Sequence, residues 1–235
     1  MPRKRWNDVR TIEDLRPKPE KEISVVVSAK TPGQKRYIQS IQENDIVFCH
    51  GPAGTGKTAI SVGIGLQAVL GGKFQKLVIM RPAKEACDEK IGYLPGDQET
   101  KMAVWIAPVT DNMEVFVSKQ TIKSLLCQGK IEVLPLAFAR GRSLNNSYII
   151  CDESQNLNPP QVLMVLTRLG NGSKMVLNGD LQQSDLNGNN GLADAIRRLA
   201  GINGISFVEL GEEDMVRHPL LREIVSRYAS KPSCS

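Results

Sequence analysis

No stretch of this 235-residue chain approaches the ~20 consecutive apolar residues of a membrane span, so an α-helical membrane protein is excluded. The start, Met1-Pro2-Arg3-Lys4-Arg5, is charged, but no apolar segment follows it, and no secretory leader is expected. The cysteines (Cys49, Cys87, Cys127, Cys151 and Cys234) are odd in number, scattered and without a C-x-x-C pair. That spacing speaks against a zinc site and a disulfide framework, and makes a reducing cytoplasm the expected compartment. Cys49 and Cys151 lie inside apolar runs, where cysteine behaves as a small buried hydrophobe. Neither an internal repeat nor a low-complexity tract is present. Charge is not extreme either: the net value is +5, of which residues 1–22 supply +2 through seven Lys/Arg and five Asp/Glu. A mildly basic body is compatible with nucleic acid without requiring it. With 41% apolar and 23% charged residues the chain is of ordinary globular composition, long enough for one α/β domain with an extension.

What is present alternates. Residues 1–30 read as an N-terminal arm interrupted by Pro17 and Pro19, with one edge strand over Ile23–Val27. From residue 31 to 235 the chain reads as one domain. Helices are expected at Pro32–Gln42, Thr58–Leu70, Met113–Gln128, Leu192–Ala200 and Pro219–Ala229, with another starting at Asn158-Pro159. Strands are expected at 46–50, Leu77–Met80, Ile131–Leu136, Tyr148–Cys151, Lys174–Leu177 and Ile205–Leu210. Residues 81–112, with Pro82, Pro95, Gly96 and Pro108, read as a functional loop with short helical pieces. Such alternation predicts an α/β fold: a mostly parallel sheet with helices on both faces.

One segment carries specific chemistry. Gly51-Pro52-Ala53-Gly54-Thr55-Gly56-Lys57-Thr58 is a complete G-x-x-x-x-G-K-[ST] P-loop between an apolar strand and a helix. Its backbone N–H groups converge on phosphate oxygens and Lys57 reaches the β- and γ-phosphates. The Thr58 hydroxyl holds Mg²⁺, and the helix N-terminus favours the anion. The strand before Asp152-Glu153 ends in two carboxylates. Asp152 suits the Mg²⁺ shell and Glu153 suits polarising an attacking water, which favours hydrolysis over transfer to a small molecule. A third strand ends in Gly179-Asp180-Leu181-Gln182-Gln183, whose Gln183 amide suits sensing the γ-phosphate and orienting water. Gln34, 17 residues before Gly51, carries a donor and an acceptor that match adenine N6 and N7. Asp185-Leu186-Asn187-Gly188 matches a GTPase turn, but no Asn-Lys-x-Asp guanine motif accompanies it, so an ordinary turn is expected.

In this order these motifs resemble the first RecA-like domain of superfamily 1 helicases, and more closely the PhoH family. The stretches that carry the resemblance are Thr31–Gln34, Gly51–Thr58, Arg81-Pro82, Gly92–Gly96, Ala137–Ser143, Cys151–Asn156 and Val216–Pro219, within about residues 25–229. The resemblance implies a RecA-like P-loop fold, a cytoplasmic ATPase using ATP and Mg²⁺, links to phosphate starvation and RNA metabolism, and ring-forming members. No nuclease or KH-like module is recognised beside it, so intrinsic RNA cleavage is not expected.

The resemblance also assigns the remaining cations. Arg217 resembles an arginine finger, an ion pair to Glu212 or Asp214 being the alternative. Arg81 and Lys84 follow the second strand, where superfamily 1 helicases touch the nucleic-acid backbone. Arg140 and Arg142 flank Gly141, placed either for nucleic-acid phosphates or to act across a subunit joint. Trp105 reads as a core residue rather than a base-stacking one. Helicases of this kind place ATP between two RecA-like domains. A chain with one such domain is expected to borrow the second wall from a neighbour in a homo-oligomeric, hexameric ring. The expected activity is ATP hydrolysis coupled to RNA or single-stranded nucleic acid, with RNA helicase output compatible with the resemblance. A slow nucleotide-dependent switch acting through a protein partner is the other reading.

Overall fold

The computed structural model describes residues 24–82, 107–184 and 190–216. Six strands form one sheet: β1 (Ile46–His50), β2 (Lys76–Arg81), β3 (Ile131–Pro135), β4 (Ser147–Cys151), β5 (Lys174–Gly179) and β6 (Ile205–Glu209). Their spatial order is β3-β2-β4-β5-β1-β6, and every pairing is parallel. The helices among the described residues are α1 (Pro32–Glu43), α2 (Lys57–Leu70), α3 (107–114), α4 (Lys119–Cys127), α5 (Pro159–Leu166) and α6 (Gly191–Leu199).

The inner strands are continuous apolar runs because both sheet faces are covered; β4 and β5 are buried at every position. Alternation sorts them into two cores. Val47, Cys49, Leu77, Ile79, Tyr148, Ile150 and Val176 face one core with Tyr37 and Ile41 of α1, Ile60 and Leu66 of α2, and Ile122 and Leu125 of α4. Phe48, Val78, Met80, Ile149, Cys151, Met175 and Leu177 face the other, against Val162 and Val165 of α5 and Leu192 and Ala195 of α6. The second helix approaches the sheet closely because Gly65 has no side chain. A Cβ there would lie 2.8 Å from the Tyr148 ring. At the β6 edge, Phe207 pairs with Phe48 in register and stacks on it at 5.1 Å between ring centres.

Local signals set most boundaries. Thr31 caps α1 through its hydroxyl, with Pro32 next. Asn158 and Gln161 form a reciprocal capping box on α5. The last turn of α1 holds no basic residue; Lys174 of β5 instead donates to the Ile41 and Asn44 carbonyls at that helix end.

Three expectations change. Residues 24–29 form no strand, although Val25 is buried in the first core and Val27 packs beside Gly63. The helix expected over Met113–Gln128 is two helices. Ser118 accepts from the Thr121 N–H and starts α4 anew, while Val117 turns into the core. The strand expected to stop at Leu177 runs on to Gly179, which carries Asn178 into the interior. The helix expected at Pro219–Ala229 lies outside the described residues, as do Trp105 and the Asp185–Gly188 turn.

Candidate active site

The carboxyl ends of β1, β4 and β5 open into one cleft of about 370 Å³, where parallel α/β sheets bind ligands. The P-loop forms its floor. Gly54 and Gly56 both hold φ of +88°, a region that L side chains avoid, and Gly56 starts α2 without a side-chain cap. The first N–H groups of α2 are thereby left for an anion. Three elements tie the loop down. Gly51 N–H donates to the Gly179 carbonyl at 3.2 Å, and Val216 N–H to the Gly54 carbonyl at 3.2 Å. A Cβ at Gly51 would stand 2.2 Å from the Leu210 carbonyl oxygen. The Lys57 ammonium donates to the carbonyls of Gly51 at 2.6 Å and Pro52 at 2.9 Å, and burial lowers its pKa.

Opposite the loop, β4 ends in Asp152 and Glu153. The Thr58 hydroxyl donates to Asp152 Oδ1 at 2.9 Å. Burial, then the Glu153 charge, pushes the Asp152 carboxyl above the usual range, opposed by the Thr58 hydroxyl and by Arg81. A hydroxyl and a carboxylate so placed are hard oxygen donors, a set that fits Mg²⁺ completed by phosphate oxygens. Glu153 has φ of +57°, an uncommon backbone for a residue with a side chain and a frequent mark of functional sites. Its Oε2 accepts from Gln155 Nε2 at 2.7 Å, and its Oε1 lies 3.8 Å from the Arg81 guanidinium. Gln155 is buried, and its own oxygen accepts the Asp180 N–H at 3.0 Å, so one carboxamide spans the ends of β4 and β5. Gln183 follows on a short turn and also lines the cleft, as do Ala53, Gly54, Lys57 and Thr58.

The other expected site residues divide. Gln34 does not line the cleft: it is 3% exposed beneath the P-loop, with Nε2 donating to the Thr55 carbonyl at 2.9 Å and Oε1 accepting the Lys30 N–H at 2.8 Å. One N–H and one lone pair of its amide thus brace the loop and the chain before α1. Arg81, expected on nucleic acid, lies in the cleft wall, its Nε 3.9 Å from Asp152 Oδ2. Arg142 ion-pairs with Glu132 at 2.5 Å, and Lys76 meets the same carboxylate at 2.7 Å; that network ties the loop after β3 to the sheet edge. Arg140 is exposed. Lys84 and Arg217 lie outside the described residues. Cys49 and Cys151 are buried as expected, and burial pushes the Cys151 thiol up to about 12.

Three supporting residues were not singled out from the sequence as site residues. Asn178 is buried between α1 and α2: Tyr37 Oη donates to its Oδ1 at 2.6 Å, and its Nδ2 donates to Ser61 Oγ at 2.8 Å. The Ser61 hydroxyl goes on to the Thr58 carbonyl at 3.1 Å. Asp214 is 1% exposed and accepts from the Thr31 hydroxyl at 2.5 Å and from the N–H groups of Gly33 and Gly211, each at 3.1 Å. Gln155 is the third. Only the polar side chain at 178, inside an otherwise apolar strand, hinted at such a role.

Comparison with known proteins agrees with this architecture. A family model described as PhoH-like protein matches residues 26–229. The PhoH-like protein of Synechocystis sp. is 45% identical over 212 residues, 89% of this chain and 64% of that protein. The PhoH-like protein of Bacillus subtilis is 44% identical, over 86% of this chain and 64% of its own length. Protein PhoH of Escherichia coli is 34% identical, over 86% and 58%. The chain thus spans about three-fifths of the curated relatives it matches. Among solved structures, the large terminase of a thermophilic bacteriophage superposes with a TM-score of 0.50 at 12% identity, covering 86% of this chain and 51% of that one. The same terminase is also known in complex with ADP. Among the described residues no helix is long and apolar enough to cross a membrane. The chain belongs to the PhoH-like family and has its RecA-like P-loop nucleotide-binding fold.

Proposed function

We propose that this PhoH-like chain binds ATP with Mg²⁺ and hydrolyses it, and that turnover is coupled to binding, moving along or remodelling RNA or single-stranded nucleic acid. One observation carries the hydrolytic reading: Thr58 and Asp152 meet at 2.9 Å beneath the P-loop, with Glu153 adjoining in the same cleft. The N–H groups of residues 54–58 and the Lys57 ammonium hold the β- and γ-phosphates. Thr58 and Asp152 would hold Mg²⁺, which would neutralise charge on the phosphates. Glu153 takes a proton from water as the water oxygen bonds to the γ-phosphorus. The bond to the β,γ-bridging oxygen breaks, and ADP and phosphate leave. Gln183 orients the water.

The assembly reading rests on the resemblance to helicases that place ATP between two RecA-like domains. A second wall supplied by a neighbouring copy, in a head-to-tail ring and most simply a hexamer, would bring Arg217 or the exposed Arg140 to each joint. The switch reading has one observation in its favour: Glu153 Oε2 is hydrogen-bonded to Gln155 and Oε1 lies 3.8 Å from the Arg81 cation, a restraint that suits slow turnover. Steady-state ATP hydrolysis with and without single-stranded RNA tests the proposal. Stimulation supports coupling to nucleic acid; a slow rate indifferent to RNA supports the switch.

A further inference from the structure

Arg81 ends β2, and its neighbour in the sheet is the strand that delivers the two carboxylates: Met80 registers with Cys151, and the Asp152 N–H donates to the Met80 carbonyl at 3.0 Å. Strand register therefore fixes the Arg81 backbone beside Asp152. The guanidinium, 18% exposed, stands 3.9 Å from Asp152 Oδ2 and 3.8 Å from Glu153 Oε1. These separations are those of ion pairs, longer than hydrogen bonds. The two carboxylates divide their partners. Asp152 gives Oδ1 to Thr58 and Oδ2 to Arg81; Glu153 gives Oε2 to Gln155 and Oε1 to Arg81. A glutamate that is to take a proton from water needs a free oxygen directed at that water. Here Oε2 is taken up by Gln155, and Oε1 faces the Arg81 cation.

Of the two partners of Glu153, the Gln155 amide is buried and bound at its other end, whereas Arg81 is partly exposed and, among the described residues, meets the carboxylates only at ion-pair distance. Arg81 is thus the removable one. A phosphate diester offers a guanidinium two oxygens in hydrogen-bonding geometry, a better partner than a carboxylate at 3.8 Å. The neighbouring surface suits such a ligand. On the other side of β2, Arg81 registers with Pro135, and the chain continues directly into Leu136–Phe138. Phe138 there is 70% exposed, two residues from the exposed Arg140. An exposed aromatic ring and an exposed arginine on one short loop are residue types that a single-stranded base and its phosphate use.

We propose that Arg81 is a positioning residue that restrains Glu153, and that a backbone phosphate of single-stranded nucleic acid releases Glu153 by drawing Arg81 away. The inference rests on the nucleic-acid coupling proposed above and supplies its mechanism. It reconciles two placements of one residue: the position after the second strand that suits a nucleic-acid contact, and the contact with the hydrolytic carboxylates that the structure gives it.

The test compares steady-state ATP hydrolysis by the parent, Arg81→Gln and Arg81→Lys, each with and without poly(U). Affinity for a fluorescent ATP analogue is measured alongside. The parent is expected to be slow and stimulated. Arg81→Gln is expected to start at least about tenfold above the parent's unstimulated rate, a part of the ~10²–10⁴ that a general base contributes, and to gain little from poly(U). Arg81→Lys, which keeps a cation but loses the two-pronged phosphate contact, is expected to start below the Arg81→Gln rate and to be stimulated less than the parent. The analogue should bind all three alike. An Arg81→Gln rate at or below the parent's, stimulation equal to the parent's, or lost nucleotide binding each overturns the restraint. If poly(U) leaves the parent unchanged, the nucleic-acid reading fails, and a raised Arg81→Gln rate then supports the restraint without its proposed release.

Discussion

The Gln34 carboxamide donates to the Thr55 carbonyl at 2.9 Å from beneath the P-loop, across 21 residues of sequence. Together with the bond from Lys30 N–H, it makes Gln34 a strut under the phosphate cradle. Gln34→Ala leaves a buried carbonyl and a backbone N–H without their partner, at about 1–3 kcal/mol. The expected outcome is weaker binding of ATP and GTP by similar factors, with their ratio unchanged, read by isothermal titration with both nucleotides. A changed ratio would restore the adenine-reading role.

Lys57 and Glu153 should separate binding from turnover. Lys57→Ala is expected to abolish nucleotide binding and hydrolysis together. Glu153→Gln is expected to keep binding and lower hydrolysis by ~10²–10⁴. Equilibrium binding of a fluorescent nucleotide beside a phosphate-release assay checks both. Parent-rate turnover by Glu153→Gln would remove this glutamate from the mechanism.

Stability should fall in mild acid, partly through His50. Burial lowers the folded-state pKa of this imidazole below its ordinary 6.5, with the Glu209 charge opposing. The unfolded chain therefore takes up a proton that the folded chain resists. Stability declines as pH falls through 6.5 towards the folded value, and the loss is complete below it. Thermal melts across that range should show the decline in the parent and a flatter profile in His50→Gln. Equal slopes would place the acid sensitivity elsewhere.

Assembly can be tested by complementation. Lys57→Ala and Arg217→Ala subunits, each inactive alone, are expected to recover part of the ATPase activity when mixed. Some joints then pair an intact P-loop with an intact arginine across the interface. No recovery despite proven subunit exchange would assign Arg217 to its own subunit's site. A monomeric active enzyme, shown by analytical ultracentrifugation with ATP, would end the ring proposal.

The sheet was legible because burial on both faces leaves continuous apolar runs, and β4 and β5 are such runs bounded by polar turns. The cradle and the Asp152-Glu153 pair were legible because phosphate and metal chemistry restrict residue type and spacing. Side-chain direction was less so. Gln34 on a helix reads as a surface amide, and only the packing of α1 under the loop turns it inward. Arg81 at a strand end can face solvent or the next strand. Its neighbour is β4, a choice made by sheet order and not by local sequence. The break at Ser118 was missed because an apolar period continues across it, while a single cap hydroxyl resets the helix. Asp214 was invisible as a site residue: its partners Thr31 and Gly33 lie more than 180 residues away.

That last separation has a consequence for how the molecule comes into being. A ribosome finishes the P-loop well before the pieces that hold it. Gly179 supplies one tether, Val216 another, and Asp214 clasps the start of α1. Contacts so distant in sequence close only after intervening loops have surrendered their entropy. A nascent chain displaying the P-loop motif therefore lacks these tethers until residues 179–216 have been made. Nucleotide bound to the finished fold would then act as its latch, raising resistance to unfolding in proportion to the logarithm of its concentration.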